Sequence, residues 1–102
     1  MLNGTKRYIT NAPEAGIFIV MARTDPSKAG AAGVSSFIVE AGTPGLSVAK
    51  SDRKMGQKGA HLADVVFEDC RVPASALLGP EGQGFKVAMK ALDRGRMHIA
   101  AM

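Results

Sequence analysis

Three neighbouring residues in the segment KRYITNAPEAG (residues 6–16) could form one side of a ligand site: Tyr8, Ile9 and Thr10, here called the YIT triplet. The triplet ends a short run of strand-forming residues, and asparagine, proline and glycine then favour a turn. One interpretation is that a flat ligand lies against the ring and the hydroxyl at this turn. The alternative is an ordinary strand end, in which Thr10 only leads into the turn.

A second candidate is a pair of opposite charges near the C-terminus, Asp93 and Arg96. Their spacing of three residues places them on one face of a predicted helix. Arg96 also falls near apolar helix positions, where a charge needs a partner. From the residues alone, the pair is either a surface ion pair worth about 0.2–0.5 kcal/mol or a contact with something beyond this segment.

Other residues with reactive side chains are isolated in the sequence. His61 lies in a glycine-containing loop with no carboxylate or nucleophile placed to work with it, so we expect a solvated loop histidine. We expect His98 to be a packing or surface residue of the helix, and Cys70 a small, partly buried side chain. The segment GPEGQG (79–84) lacks the Lys-Ser/Thr of a phosphate-binding P-loop. We therefore predict no metal site and no complete catalytic group.

Composition limits the protein class. The 102 residues carry a net charge of +4, 22% charged residues and 46% apolar residues, as in one small globular domain. The basic residues are scattered and only five residues are aromatic, which argues against a nucleic-acid surface. No apolar run reaches the roughly 20 residues of a membrane span, and no secretory signal is evident. The single cysteine excludes an internal disulfide and fits a reducing compartment.

Residues 1–79 have the pattern of a β-domain, with turn residues every 8–12 positions. Asn3-Gly4 predicts a hairpin turn at the very start. The apolar run IFIVMART predicts a strand buried on both faces. The predicted strands are 17–24, 34–41, 46–50 and 64–73, with a loop at 25–33 and a turn at 42–45.

From residue 80 the apolar period changes to that of a helix. Phe85, Met89, Leu92 and Ile99 fall on one face, and no stop signal follows. The fold expected is mainly β: an incomplete antiparallel β-barrel or sandwich-like domain, followed by one long C-terminal helix. The half hairpin and the unfinished helix lead us to expect a fragment of a larger protein.

Four segments together resemble the acyl-CoA dehydrogenase family in order and spacing: LNGTKRYITN, FIVEAGTPGLSV, KMGQKGAHLADVVFEDCRVP and LLGPEGQGFKVAMKALDRGR. The resemblance covers essentially the whole chain. It implies that residues 1–79 are the latter part of the family's middle β-domain. Residues 80–102 would begin its C-terminal helical-bundle domain.

The resemblance implies an enzyme that uses FAD to oxidise the Cα–Cβ bond of an acyl-CoA to the trans-2-enoyl-CoA. A carboxylate base removes the α-proton, and the β-hydride passes to the flavin. The family also implies an electron-acceptor protein as partner, a homodimer or homotetramer, and a cytoplasmic or mitochondrial-matrix location. The alternatives are a flavin oxidase or monooxygenase of the same fold, or a non-catalytic β binding module.

The family's site residues carry over only in part. Tyr8 stands where the family commonly has tryptophan, so the resemblance implies that the YIT triplet flanks the flavin, with Thr10 near N5. Asp93 and Arg96 would contact the CoA part of the substrate. Gly95 occupies the position of the catalytic glutamate in some members, and glycine cannot act as a base. The catalytic base is therefore expected outside this segment.

One loop departs from the family's pattern. Where relatives commonly carry arginine, a small residue, serine, an acidic or amide residue and threonine, this chain has Lys58, Gly59, Ala60, His61 and Leu62. The lost polar groups leave the contacts of this loop open.

Overall fold

The computed structural model describes residues 1–102, which form two three-stranded sheets and one α-helix. The strands are β1 (Leu2–Thr10), β2 (Ile17–Arg23), β3 (Val34–Glu40), β4 (Leu46–Val48), β5 (Leu62–Cys70) and β6 (Leu77–Leu78), and the helix is α1 (Gly84–Ala101). Short 3-10 turns span Ala12–Glu14, Gly30–Gly33 and Ala74–Ala76. The prediction of an incomplete, mainly β fold with one C-terminal helix is confirmed. No helix of the chain is long and apolar enough to cross a membrane.

The chain divides into two compact units, one of Met1–Phe18 with Val39–Pro73 and one of Ile19–Ile38 with Ala74–Met102. The sequence-based division into residues 1–79 and 80–102 concerns evolutionary domains and stays a prediction.

The first unit is organised around β5, which pairs antiparallel with β1 on one side and with β4 on the other. Alternate residues of β5, Ala63, Val65 and Phe67, are buried, as the two-residue period of a strand requires. Burial of side chains the size of valine or phenylalanine contributes about 1.5–3 kcal/mol each. This apolar row fixes the register of β5 and therefore of β1, because a shift by one residue would expose the whole row.

The predicted hairpin turn at Asn3-Gly4 is wrong, because both residues lie inside β1. The register shifts between Leu2 and Gly4, where Gly4 has φ 140°, so the pair forms an irregularity in a continuous strand. The side-chain oxygen of Asn3 accepts a hydrogen bond from the Asp69 backbone N–H at 2.8 Å. A flexible glycine and a side-chain acceptor suit a bulge as well as they suit a turn.

Strand β2 confirms the predicted strand at 17–24, but burial on both faces is wrong. Phe18 and Val20 are buried, whereas Ile17 and Ile19 are 59% and 50% exposed. The strand therefore has one buried and one exposed face, although its sequence is apolar on both. An apolar run shows strand propensity but not which face is covered.

The second unit fixes the start of α1 against β3. Ser35 and Ser36 are buried; the Ser35 hydroxyl accepts from the Gly82 N–H at 2.9 Å, and the Ser36 hydroxyl donates to the Gly84 carbonyl at 3.2 Å. A Cβ on Gly84 would lie 2.4 Å from the Ser35 carbonyl carbon, so only glycine fits this contact. The helix therefore begins at Gly84, three residues after the predicted start at Glu81.

The loop after β2, predicted at 25–33, is built on hydrogen bonds of its own. The Ser27 hydroxyl and backbone N–H both donate to the Asp25 carboxylate. The hydrogen bond from the Ser27 hydroxyl has the largest effect, and together with the backbone bond it holds the pKa of Asp25 below its ordinary value. The loop ends in the Gly30–Gly33 turn, which the sequence did not predict.

The four apolar side chains on one face of α1 are exposed, with exposed fractions of 44% for Phe85, 37% for Met89, 51% for Leu92 and 70% for Ile99. The predicted helical face exists, and no part of the second unit buries it.

Candidate functional site

The YIT triplet lies at the end of β1, next to a β-bulge. Lys6 pairs with Val65 and Ile9 pairs with Ala63, so two residues of β1, Arg7 and Tyr8, lie opposite Asp64 alone. A bulge of this kind bends the strand and redirects the side chains around it. The sequence predicted a strand end here but not the bulge.

Tyr8 has a backbone conformation that is unusual for an aromatic residue. Its φ is 56°, in the left-handed region that favours glycine, and its side chain is 66% exposed. The Tyr8 backbone N–H donates to the Asp64 carboxylate at 3.2 Å. Backbone strain of this type costs about 1–3 kcal/mol and persists only where neighbouring contacts hold it.

Arg7 adds a positive charge beside the ring. Its Nε lies 3.4 Å from the second carboxylate oxygen of Asp64, and its guanidinium carbon is 5.4 Å from the centroid of the Tyr8 ring. That distance is within the range of a cation–π interaction. One carboxylate thus holds both the backbone of Tyr8 and the cation that contacts its ring.

The other end of the triplet is fixed by the turn that follows it. Thr10 is exposed, pairs with Leu62, and its hydroxyl forms no hydrogen bond within the chain. Asn11, at φ 61°, donates its N–H to the carbonyl of His61 at 2.7 Å. The Thr10 hydroxyl is therefore available to a ligand, while the backbone beside it is held.

His61 is not the unpartnered loop residue that the sequence predicted. Its Nδ1 forms a hydrogen bond with the carboxylate of Glu14, and the two side chains are 54% and 52% exposed. The contact joins residues 47 positions apart, so no local pattern could reveal it. It ties the turn after the triplet to the loop before β5 and forms no catalytic group with a nucleophile.

The loop that departs from the family pattern borders a half-open polar pocket of about 290 Å³, lined by Asp52, Arg53, Lys54, Lys58, Ala60 and His61. The Lys54 ammonium donates hydrogen bonds to two carbonyls, that of Gln57 at 2.8 Å and that of Ala60. The lysine therefore closes the loop on itself.

The second candidate site lies on α1. Asp93 and Arg96 are both exposed, and the surface ion pair considered from the sequence does not form. Asp93, Arg94 and Gly95 line an open groove on the helix with Lys90 and His98, and a Cβ on Gly95 would meet no atom within 4 Å. His98 is a surface residue, and Cys70 is fully buried rather than partly buried. Both charges of the predicted pair are thus free for another partner.

The family model for the middle domain of acyl-CoA dehydrogenases matches residues 1–70, more than half of the chain. The chain belongs to the acyl-CoA dehydrogenase family. The resemblance stated from the sequence is confirmed. Residues 71–102 of the chain lie outside the family-model match, but relatives that align with almost the whole chain cover them.

Three relatives show how much of a family member this chain represents. Acryloyl-CoA reductase (NADH) of Anaerotignum propionicum is 52% identical over 101 residues, which are 99% of this chain and 25% of the reductase. Butyryl-CoA dehydrogenase of Megasphaera elsdenii has a TM-score of 0.91 at 49% identity, covering 97% of this chain and 26% of that structure. A structure of PigA with FAD and proline has a TM-score of 0.77 at 44% identity, covering 80% and 21%. The chain spans about a quarter of the length of these relatives.

Proposed function

We propose that this chain is a segment of an FAD-dependent acyl-CoA dehydrogenase, and that the YIT triplet forms one wall of its flavin site. The observation that carries the proposal is the pairing of an exposed, backbone-held tyrosine ring with a threonine hydroxyl that has no partner in the chain. Membership of the family supports a flavin as the cofactor, and the PigA relative is a complex with FAD.

The residues fit a flat, polar cofactor. The ring of Tyr8 offers a planar face, and offset stacking of aromatic systems is worth about 0.5–1.5 kcal/mol beyond burial. When bound, FAD supplies the acceptor for the substrate's β-hydride. A hydroxyl donor at Thr10 stabilises negative charge that develops on the ring edge it contacts. Ile9 is half-buried and contributes to the packing of the strand end.

The substrate side of the proposal is Asp93 and Arg96 on α1. A CoA thioester carries phosphates, and a guanidinium binds phosphate oxygens through two parallel hydrogen bonds. Gly95 leaves the helix backbone open to a ligand and provides no base. The base that removes the α-proton therefore belongs to a part of the enzyme beyond this segment.

The proposed reaction is oxidation of the acyl-CoA Cα–Cβ bond to the trans-2-enoyl-CoA. A second candidate, favoured by the reductase relative at 52% identity, is the reverse reaction on the same bond. The same wall and the same CoA contacts serve both directions. The electron partner decides which direction runs, and we propose an electron-transferring protein for the oxidation.

The whole enzyme is proposed to be a homodimer or homotetramer located in the cytoplasm, or in the mitochondrial matrix if the source is eukaryotic. The 102-residue segment by itself should be inactive, because it lacks a base and carries one flavin wall only.

The test is anaerobic mixing of the purified full-length protein with short-chain acyl-CoA. We expect flavin bound as purified, loss of its visible absorbance on mixing, and enoyl-CoA as the product. If NADH reduces the flavin and enoyl-CoA then reoxidises it, the result would favour the reductase direction. A full-length protein that binds no flavin would overturn the proposal.

A further inference from the structure

We propose that Asp64 is a positioning residue for the flavin wall: its carboxylate holds Tyr8 in its left-handed conformation and fixes the direction of the ring. This inference rests on the proposed flavin site and extends it to a residue 56 positions away in the chain.

The first support is the geometry of the bulge. Two residues of β1, Arg7 and Tyr8, lie opposite Asp64, so the regular ladder cannot satisfy every backbone group there. One carboxylate oxygen accepts the Tyr8 N–H at 3.2 Å in place of a ladder carbonyl. The side chain of Asp64 thus replaces a backbone acceptor that the bulge removes.

The second support is the conformation of Tyr8. A bulky residue at φ 56° is rare and stays there only when its surroundings determine it. In β1, the other strongly positive φ belongs to Gly4, which tolerates it without a side chain. Tyr8 has no such freedom, so the contact with Asp64 has to hold it.

The third support is the way that Asp64 also places Arg7. Its other oxygen lies 3.4 Å from Arg7 Nε, and the guanidinium lies 5.4 Å from the Tyr8 ring centroid. The Asp64 side chain is 24% exposed, so this ion pair is partly shielded. Backbone and ring are therefore held by one carboxylate from two directions.

The ring direction matters for the proposed reaction because a misplacement of about 1 Å can cost on the order of 100-fold in rate. Thr10 follows Tyr8 by two residues, and a change at the bulge would move its hydroxyl as well. Asp64 is expected to act on the rate of flavin reduction rather than on acyl-CoA affinity, since both partners of its side chain, Tyr8 and Arg7, lie in β1.

The variants separate the two contacts of Asp64 in the full-length enzyme. Asp64→Ala removes both, whereas Asp64→Asn keeps an oxygen that can accept the Tyr8 N–H and loses the charge that faces Arg7. Glu68→Gln is the matched control for charge, because Glu68 is exposed on the same strand and its side chain has no partner.

Three measurements form the test: the rate of flavin reduction at saturating acyl-CoA, the visible circular dichroism of the bound flavin, and hydrogen exchange of the peptide that contains Tyr8. For Asp64→Ala we expect reduction slower by about tenfold to 100-fold, a changed dichroism spectrum, and faster exchange. Asp64→Asn should recover most of the rate and the spectrum. The KM for acyl-CoA should stay close to that of the parent.

The outcomes are distinct. An Asp64→Ala enzyme that reduces its flavin at the parent rate with an unchanged spectrum would overturn the role of Asp64. A comparable loss in Glu68→Gln would overturn it as well. Equal losses in Asp64→Asn and Asp64→Ala would overturn the hydrogen bond from the Tyr8 N–H as the contact that holds the ring. A parent protein without flavin would overturn the proposed function and this role together.

Discussion

At the residue scale, the YIT triplet combines a backbone group that is fixed by a hydrogen bond with a hydroxyl group that is available to a ligand. The backbone of Tyr8 is fixed by Asp64, while the hydroxyl of Thr10 has no partner in the chain. A free polar group beside a fixed aromatic face is the arrangement expected of a pre-organised ligand site, because binding then costs little ordering entropy.

The Thr10 hydroxyl gives the first prediction. Thr10→Val keeps the branched shape and removes the donor, so flavin reduction should slow by about tenfold to 100-fold while acyl-CoA affinity changes little. Single-turnover reduction measured by stopped-flow absorbance checks this. Thr5→Val is the control, since Thr5 is exposed on the same strand away from the triplet. An equal effect of both changes would assign the loss to the strand rather than to the hydroxyl.

Arg96 gives a second prediction at the same scale. Loss of a charged hydrogen bond costs about 1.5–3 kcal/mol, so Arg96→Ala should weaken acyl-CoA binding by roughly tenfold to 100-fold and leave FAD bound. Titration calorimetry with a non-reacting CoA thioester measures this. Lys86→Ala removes another exposed positive charge from the same helix and should have little effect. Loss of flavin from the Arg96 variant would point to a structural role instead.

The site was predicted from the sequence only as far as local patterns reach. The triplet and its turn are contiguous, and so is the Asp93–Arg96 spacing on a helix. Asp64 contributes through a contact across a strand pair, and its role depends on a bulge that shifts the register by one residue. The contact between Glu14 and His61 also joins residues far apart in the chain, at a separation of 47 positions. No spacing rule in a single sequence encodes such contacts.

At the scale of elements, the structure depends on how each strand or helix end is fixed. The identities of β2 to β5 and of α1 followed from hydrophobic period and turn residues, which are local properties. The two-residue strand β6 was not predicted. The exposed face of β2 and the bulge at Asn3-Gly4 did not follow, since they depend on what covers a strand and what pairs with it. A glycine lies both at the bulge and at the helix start, but the sequence alone did not predict at which positions sterics require glycine.

Alanine substitutions at two glycines of α1 should change the free energy of unfolding in opposite directions. A Cβ on Gly84 would lie 2.4 Å from Ser35 backbone, whereas a Cβ on Gly95 would meet nothing within 4 Å. Gly84→Ala should destabilise the fold by about 1–3 kcal/mol through overpacking. Gly95→Ala should stabilise the helix by up to about 1 kcal/mol. Thermal unfolding by circular dichroism compares them; a Gly84→Ala chain as stable as the parent would refute the steric account of the helix start.

At the scale of the whole molecule, the chain is a family segment with an uncovered apolar face. Phe85, Met89, Leu92 and Ile99 lie along one side of α1 and are all at least partly exposed. Burying each side chain would contribute about 1.5–3 kcal/mol. A contiguous exposed face of this kind favours association.

The 102-residue chain should therefore self-associate in solution through the apolar face of α1. Met89→Glu with Leu92→Glu places two charges in the middle of that face and should shift the chain to monomer, as measured by sedimentation velocity over a range of concentrations. Ala91→Glu with Ala101→Glu adds the same charge at helix positions outside that face and should therefore leave association unchanged. A parent that stays monomeric at high concentration would contradict the predicted self-association. Equal dissociation of both double variants would show that net charge, rather than the apolar face, governs association. The contrast between the two variants decides this because they differ in position and not in charge.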